Sequence, residues 1–314
     1  MSWHLGRMAA FDTETTGTDV ETDRIVSAAL ITPAGVREWL TDVDGVEIPA
    51  EATSVHHMST EHAREHGRPA KEVVEEIAEV LAAELNAGSP LVVMNAPFDL
   101  TILDRECTRH GVPTLTEKLD GKPIGPVVDP LVMDRAADKY RKGPRKLENL
   151  AAHYGIELTN AHAAAADAQA ALDVARRIFD MYPQLRAPAE LLHRWQIGWF
   201  ATWAEGFEQY LRKKDPTEVV DRNWPLIPAP AFGGVTSNDV LRGLAQGLDH
   251  PQIAELFDIT VRASRLLLRR AFDELGAQSG PHAIALAIGL GQLPADVATN
   301  PAPQSGGQHE PVRQ

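Results

Sequence analysis

The chain has 314 residues, of which 44% are hydrophobic and 24% are charged, and its formal net charge is −14. This composition is that of a globular protein with room for two domains, and no stretch approaches the ~18 continuous apolar residues of a membrane span. The single cysteine, Cys107, excludes internal disulfides and multi-cysteine zinc sites. We therefore expect a cytoplasmic protein. The acidic balance argues against nucleic-acid binding through bulk charge, unless local basic residues and bound cations offset it.

The first half of the chain predicts a mixed α/β sheet. Strands are indicated at residues 8–11, at 24–31 and 36–40 as a hairpin, and at 91–94 and 127–129 as short buried runs. Helical spacing of apolar residues covers 70–87, Asn95-Ala96-Pro97 opens a further helix, and the pattern then stays helical from 130 to 181. Strands paired in a meander, followed by strands that alternate with helices, are typical of such a sheet.

The second half predicts three further segments. Residues 183–230 contain an aromatic-rich helix and a proline-rich connector, and residues 231–298 form a compact all-helical unit. Residues 299–314 have the composition of a disordered tail. The predicted domains are therefore 1–182, 183–230 and 231–298, followed by this tail.

Two carboxylates lie at the end of the first predicted strand, in the segment Phe11-Asp12-Thr13-Glu14-Thr15-Thr16-Gly17. Successive strand side chains point to opposite faces, so Asp12 and Glu14 project from the same face. Adjacent carboxylates repel each other and need a cation between them, and oxygen ligands suit Mg²⁺ or Mn²⁺. Taken alone, such a pair is more often a solvated strand end than a metal site.

Three more side chains extend this pattern. Asp99 falls in the first turn of a predicted helix, where an acid stabilises the N-terminus. His162 lies five residues before Asp167 in an alanine-rich segment that favours helix. Taken singly, the histidine is typical of a cap or a surface residue, and Asp167 is typical of a solvated helix position.

Together these residues resemble the DEDDh subgroup of the DnaQ-like 3′–5′ exonucleases, a family that includes the epsilon proofreading subunit of DNA polymerase III. The three motifs occur in the family order across residues 7–181, and a histidine five positions before the last aspartate marks this subgroup. The resemblance implies a ribonuclease H-like mixed sheet flanked by helices. One departure is Met94, where many relatives have a histidine.

The resemblance also implies two divalent cations, Mg²⁺ or Mn²⁺, as cofactors. Asp12 would bridge both ions. Glu14 and Asp167 would hold the ion that carries the nucleophilic water, and Asp99 would support the other. His162 would take the proton of that water as general base.

The family recognises a 3′-terminal nucleotide, which implies contacts from the backbone near Thr15 and from an apolar side chain such as Phe98. His56 lies where relatives carry a histidine close to the substrate, and a surface turn is an equally good interpretation. The basic cluster at residues 139–146, with Lys142 and Arg145, could follow the phosphates of an incoming strand, although a charge run is usually a solvated face.

The aromatic segment carries Trp195, Trp199, Trp203 and Phe207, which recur every four residues and indicate one helix face packed on the nuclease domain. Residues 196–200, with the sequence Gln-Ile-Gly-Trp-Phe, loosely resemble the peptide by which replication proteins bind the bacterial sliding clamp. Trp199 also belongs to the aromatic face, so burial of its ring is the alternative to clamp binding. The clamp, from this peptide, and a DNA polymerase, from the family resemblance, are the two candidate protein partners.

The C-terminal unit resembles a LuxR-type helix-turn-helix domain across residues 234–292, in which the third helix enters the major groove. Arg262, Arg265 and Arg269 on that helix could contact phosphates. The helix departs from its relatives at Leu267 and Glu274, among others, which puts sequence-specific binding in doubt. The fourth helix forms the dimer interface in relatives, so a homodimer is the alternative role.

The resemblance implies a metal-dependent 3′–5′ exonuclease for DNA, in proofreading or repair, whose partner is a nucleic acid with a free 3′ end, preferably single-stranded DNA. RNA stays open as a substrate, because the same site hydrolyses either polymer and no discrimination at the 2′-hydroxyl is visible. A regulator that merely senses nucleotides is a third possibility, but it would have no need of His162.

Overall fold

The computed structural model describes residues 4, 6–159, 161–230 and 232–297. The chain divides into two compact units, one made of residues 1–207 and 221–228, the other of residues 208–220 and 229–314. The tail predicted at 299–314 lies outside the described residues. In the described part, none of the helices combines the length and the apolar character that crossing a membrane would require.

The first unit contains a five-stranded sheet. Its strands are β1 (Ala9–Thr15), β2 (Ile25–Thr32), β3 (Gly35–Leu40), β4 (Leu91–Val92) and β5 (Val127–Val128). They lie in the order β3-β2-β1-β4-β5. The β1–β2 and β2–β3 pairs are antiparallel, whereas β1–β4 and β4–β5 are parallel. The predicted mixed sheet is therefore confirmed.

Helices surround this sheet and differ in part from the sequence prediction. They are α1 (Ala50–His56), α2 (Thr60–His66), α3 (Ala70–Asn86), α4 (Ala96–His110), α5 (Leu115–Lys118), α6 (Pro130–Ala137), α7 (Leu147–Tyr154), α8 (Ala164–Met181) and α9 (Ala189–Leu211). The short helices α1, α2 and α5 were not predicted. The region predicted as helical from 130 to 181 is three helices, because Gly143-Pro144 lies in one connection and Gly155, at φ 69°, ends α7.

Helix α8 brings the C-terminal motif to the sheet. It packs against β1 and β2 through small side chains, among which Ala168, Ala171 and Ala175 are fully buried. These alanines belong to one core cluster with Val92, Val128 and other residues of the sheet and helices. Because alanine side chains are short, the axis of α8 can approach the strands closely, which carries Asp167 towards β1.

The outer edge of β5 is closed by side chains of α9. His193 Nδ1 accepts the Val127 N–H at 3.0 Å, and the Gln196 amide accepts the Asp129 N–H at 2.8 Å while donating to the Val127 carbonyl at 2.9 Å. Gln196 is fully buried. These two side chains thus supply the hydrogen bonds that a sixth strand would have made.

The first half of the aromatic face of α9 packs as the sequence predicts, whereas Phe207 at its end is 39% exposed. Trp195 and Trp199 lie against the core cluster of the first unit, and their rings are 5.8 Å apart. The Arg135 guanidinium is 3.6 Å from the centre of the Trp203 ring, which in turn stacks on Phe207. Desolvation lowers the pKa of Arg135 to about 10.

The second unit contains α10 (Ser237–Ala245), α11 (His250–Phe257), α12 (Val261–Leu275) and α13 (Gly280–Gly289). Thr236 and Asp239 form a reciprocal capping box at the start of α10, as their spacing predicts. Two apolar clusters hold the helices together and include Val240, Leu241, Ile253, Leu267 and Ala271. Residues 258–260 make the short turn between α11 and α12.

Candidate active site

The four carboxylates that the sequence singles out come together at one end of the sheet. Asp12 and Glu14 lie on β1, while Asp99 and Asp167 lie in the first turns of α4 and α8. Oxygen or nitrogen atoms of Glu14, His162 and Asp167 all lie within 4.8 Å of one another. Electrostatic repulsion from Asp99, Asp167 and Glu14 reaches Asp12, which places it in the same cluster.

Asp99 is fixed to β1 by two hydrogen bonds. Strand β4 pairs with Ala9 and Ala10 only, so the neighbouring stretch of β1 extends beyond it. There Asp99 Oδ1 accepts the Thr13 N–H at 3.0 Å and the Thr13 hydroxyl at 2.7 Å. Asp99 is only 4% exposed. The short length of β4 thus makes room for the Asp99 carboxylate on the edge of β1.

His162 lies at the mouth of the cluster, and its side chain is 42% exposed. Its backbone adopts the left-handed conformation, at φ 65°, and its N–H points to Asp167 Oδ2 at 3.3 Å. The imidazole Nε2 is 3.1 Å from Glu148 Oε1 in the first turn of α7. The side chain therefore lies between the carboxylates and solvent, where a proton acceptor can reach a water molecule.

Burial and mutual repulsion disfavour the ionised form of the carboxyl groups in this cluster. Burial, with repulsion from Asp167 and Asp99, raises the pKa of Glu14 to about 7. Burial also raises the pKa of Asp99 to about 7, against the opposing hydrogen bonds of Thr13. The pKa of Asp12 is raised well above its usual value by burial and then by its three acidic neighbours. A divalent cation would relieve this repulsion directly.

The residues present fit divalent cations. Among the described side chains, Asp167 Oδ1 is buried without a hydrogen-bond partner, so one carboxylate oxygen is left for a ligand. Burial also raises the pKa of Asp167, and Glu148 adds to the rise, while the hydrogen bond from the His162 backbone lowers it. Four carboxylates and one imidazole form a hard, oxygen-rich donor set of the kind that Mg²⁺ and Mn²⁺ prefer.

The predicted substrate contacts near the cluster are half-buried or buried. The Thr15 hydroxyl donates to the Gly17 carbonyl at 2.6 Å, so it stabilises the turn after β1. Phe98 precedes Asp99 in α4 and is half-buried. His56 is 6% exposed. Burial lowers the pKa of its imidazole, and His162 lowers it further, whereas the backbone of Thr15 raises it. His56 thus lies near Thr15 and His162 rather than in a remote surface turn.

The two predicted contacts from the basic cluster differ from each other. Lys142 is exposed. Arg145 pairs with the fully buried carboxylate of Asp134 and also donates to the Asp138 carbonyl at 2.7 Å. Its guanidinium therefore has a structural role in holding the loop, and its contact with substrate stays a prediction.

The sequence prediction missed Asp129, a fully buried carboxylate whose charge reaches Asp99. Its two oxygens accept the N–H groups of Asn95 and Ala96 at 3.1 and 3.0 Å, and that of Leu131 at 2.9 Å. The Trp224 indole N–H lies 3.3 Å from the same carboxylate. Asp129 thereby fixes the start of α4, which carries Phe98 and Asp99. The Asp-Pro pair at the start of α6 was the available sequence signal.

In the second unit, the three predicted phosphate contacts all lie on α12. Arg262 is half-buried and Arg269 is exposed. Arg265 donates to the Thr217 carbonyl at 3.0 Å and lies 3.6 Å from the Glu218 carboxylate. Arg265 is therefore engaged with its own chain, and its contact with DNA is untested.

Comparison with known proteins addresses the first unit. A family model described as an exonuclease, RNase_T, matches residues 9–175. No protein of curated function matches the sequence. Solved structures that resemble the chain include exonuclease I of E. coli in complex with a dT13 oligonucleotide, at 20% identity and a TM-score of 0.49, covering 58% of this chain and 42% of that one.

Two further exonuclease I structures show the same likeness. That from Methylocaldum szegediense has 22% identity and a TM-score of 0.48, covering 57% of this chain and 41% of that one. Another has 19% identity and a TM-score of 0.50, with 58% and 42% coverage. The chain thus spans less than half the length of these structures, and the last likeness shows a shared fold. Since the family model spans more than half of the sequence, the chain belongs to the RNase_T exonuclease family.

Proposed function

We propose that the protein is a divalent-metal-dependent 3′–5′ exonuclease that removes nucleotides from the free 3′ end of single-stranded DNA. The observation that carries the proposal is the convergence of Asp12, Glu14, Asp99 and Asp167 with His162. The carboxylates come from three separate elements and His162 from the connection before α8, and together they provide both an anionic site for cations and a proton acceptor beside it.

The residues divide the chemistry among themselves. Asp12, Glu14, Asp99 and Asp167 would hold the cations, with Glu14 and Asp167 sharing one of them and Asp99 supporting the other. When bound, two such ions polarise the phosphate and favour formation of hydroxide from water. His162 accepts the proton of the attacking water, and Glu148 orients its imidazole through Nε2. Thr13 and Asp129 keep Asp99 and α4 in place.

The choice of single-stranded DNA follows from the resemblance of the sequence motifs to the DnaQ-like 3′–5′ exonucleases. A half-buried Phe98 next to Asp99 would pack on the terminal base, and the backbone near Thr15 and the side chain of His56 would contact the terminal nucleotide. Lys142 would contact a phosphate of the incoming strand. RNA is the alternative substrate.

The remaining segments suggest how the nuclease is used. A proofreading or repair role, with a DNA polymerase as partner, follows from the resemblance to the epsilon subunit. The cytoplasmic location is proposed from the composition and the single cysteine. The clamp interpretation is weakened, because Gln196 is buried and bonded to β5. The helix-turn-helix unit, proposed for residues 231–298, would recruit the nuclease to DNA through Arg262, Arg265 and Arg269, or would form a homodimer.

The decisive experiment compares matched single-stranded DNA and RNA oligonucleotides, labelled at the 5′ end, with Mg²⁺, Mn²⁺ or chelator. We expect a ladder that shortens from the 3′ end, with DNA preferred and chelator abolishing hydrolysis. Degradation that persists in chelator, or no degradation of either polymer with either ion, would contradict the proposal. Faster degradation of RNA would move the assignment to an exoribonuclease.

A further inference from the structure

The loop at residues 138–146, between α6 and α7, carries a dense group of basic side chains on an acidic chain. Lys139, Lys142 and Lys146 are exposed in this loop. Within the described ranges, no carboxylate forms an ion pair with any of the three. Their charges are therefore available to an anionic ligand from solution.

Hydrogen bonds to Asp134 on α6 hold this loop in place. The fully buried carboxylate of Asp134 accepts hydrogen bonds from Arg141 at 3.1 Å, from the Tyr154 hydroxyl at 2.7 Å and from Arg145. Arg145 also bonds to the Asp138 carbonyl at 2.7 Å. Charge-assisted bonds to one buried carboxylate therefore fix the loop at Arg141 and Arg145. Lys139, Tyr140 and Lys142 take no part in this attachment.

Tyr140 is the most exposed large hydrophobic side chain in the described part of the chain, at 85%. The Lys139 ammonium lies 5.9 Å from the centre of its ring. Because the ring is exposed to water on a fixed loop, it does not gain the favourable free energy of burial within its own chain. Such a ring, flanked by cations, has the character of a stacking platform for the bases of a single strand.

The loop leads directly to the active site. Lys146 is the N-cap residue of α7, and Glu148 in the first turn of α7 contacts His162. The loop is thus linked to His162 through the first turn of α7, which places it beside one approach to the carboxylate cluster.

We propose that Tyr140 stacks on a base of the substrate strand on the 5′ side of the scissile phosphodiester, while Lys139 and Lys142 contact the neighbouring phosphates. This subsite rests on the proposed function, since it identifies the strand as single-stranded DNA. Stacking tolerates any base, so the subsite adds affinity without sequence preference.

The test measures the Kd of a 5′-labelled single-stranded DNA of mixed sequence by fluorescence anisotropy, in chelator so that the strand stays intact. Tyr140→Ala is expected to raise Kd by about 5- to 100-fold, the range of one lost base–aromatic stack, while Tyr140→Phe keeps near-normal affinity. Lys142→Ala should lower the slope of log Kd against the logarithm of the salt concentration by about the amount that one phosphate contact contributes. Tyr140→Ala should leave that slope unchanged.

Tyr210→Ala provides the matched control, because Tyr210 is 56% exposed and also has a lysine, Lys213, 5.9 Å from its ring centre. Its Kd should equal that of the unmodified protein. A DNA strand with 2-aminopurine at one position at a time should show quenching at a position inside the strand that Tyr140→Ala removes.

Equal Kd values for Tyr140→Ala and the unmodified protein would overturn the subsite, as would a loss of the same size in Tyr140→Phe. A matched RNA strand that depends on Tyr140 while DNA does not would overturn the DNA assignment. If Tyr140→Ala weakens binding but the unmodified protein degrades no strand with Mg²⁺ or Mn²⁺, the stacking contact with a single strand is supported while the proposed nuclease function fails. If the unmodified protein degrades the strand and Tyr140→Ala leaves Kd unchanged, the nuclease function is supported and the stacking subsite is wrong.

Discussion

The imidazole of His162 and the carboxylate of Glu148 are joined at 3.1 Å, between Nε2 of the histidine and Oε1 of the glutamate. Glu148 belongs to α7, whereas His162 lies in the connection before α8. A carboxylate that holds one ring nitrogen directs the other and stabilises positive charge on the ring once a proton arrives. Glu148 is therefore a positioning residue for the proposed general base.

Replacing this carboxylate should slow hydrolysis without abolishing it. We expect Glu148→Ala to lower kcat by about 10-fold. A general base contributes about 100-fold or more, and in this variant His162 is still present but its imidazole is no longer oriented. Glu148→Gln should keep part of the rate, since its amide oxygen can still accept a hydrogen bond. Glu157→Ala, an exposed glutamate just past α7, is the control. Equal rates for Glu148→Ala and Glu157→Ala would contradict this role.

Loss of the base or of a metal ligand should have a larger effect. His162→Ala and Asp167→Ala are each expected to reduce nuclease activity at least about 100-fold, the scale of general-base catalysis. Single-turnover degradation of a 5′-labelled strand measures this, and thermal unfolding shows that both variants are folded. Near-normal hydrolysis by either folded variant would refute its assigned role.

The carboxylate cluster should make stability depend on pH in the metal-free protein. Glu14 and Asp99 have pKa values of about 7 when folded, and such groups titrate near 4 when unfolded. Below about pH 4 both states are protonated, so these groups contribute nothing there. As the pH rises to 7 the folded state retains protons that the unfolded state has released, so the stability contribution falls and levels off above about 7.

The same linkage predicts how cations act. Mg²⁺ or Mn²⁺ should raise the Tm more at pH 8 than at pH 6, because at pH 6 binding must first displace protons from the carboxyl groups. Asp12→Asn should raise the metal-free Tm at pH 8 and reduce the response to the cation. A Tm that is insensitive to either ion at both pH values would argue against a metal site here.

Asp129 should be required for the position of α4. Asp129→Ala leaves the N–H groups of Asn95, Ala96 and Leu131 without their acceptor, and we expect a loss of roughly 2–4 kcal/mol in the free energy of unfolding. Trp224→Phe removes one donor to the same carboxylate and should cost about 1 kcal/mol. Urea unfolding measures both, and similar losses for the two variants would show that Asp129 is not the organising group.

Much of the fold and the centre of the site could be predicted from the sequence, for identifiable reasons. Strand alternation places Asp12 and Glu14 on one face, and a helix that begins just after a short strand brings Asp99 beside them. The role of Asp134 could not be predicted, because its complete burial follows from tertiary packing. That burial is what engages Arg145, which from the sequence alone is another exposed cation.

Other contacts depend on loop conformation or on distant packing. The left-handed backbone of His162 sets the direction of its ring towards Glu148, and no periodic pattern encodes that turn. Gln196 resembles part of an exposed recognition peptide in the sequence, yet it is buried on β5. An isolated glutamine carries no signal of burial, since only the sheet edge beside it supplies the partners.

The hydrogen bonds from α9 to β5 bear on how a minimal nuclease could be produced. A fragment that stops at residue 182, where the nuclease motifs end, would lack His193, Gln196 and Trp224. The N–H and C=O of Val127 and the N–H of Asp129 would then lose their partners and face water. A fragment that continues to residue 228 keeps these three groups paired, so it is the shorter fragment that we expect to be the less stable.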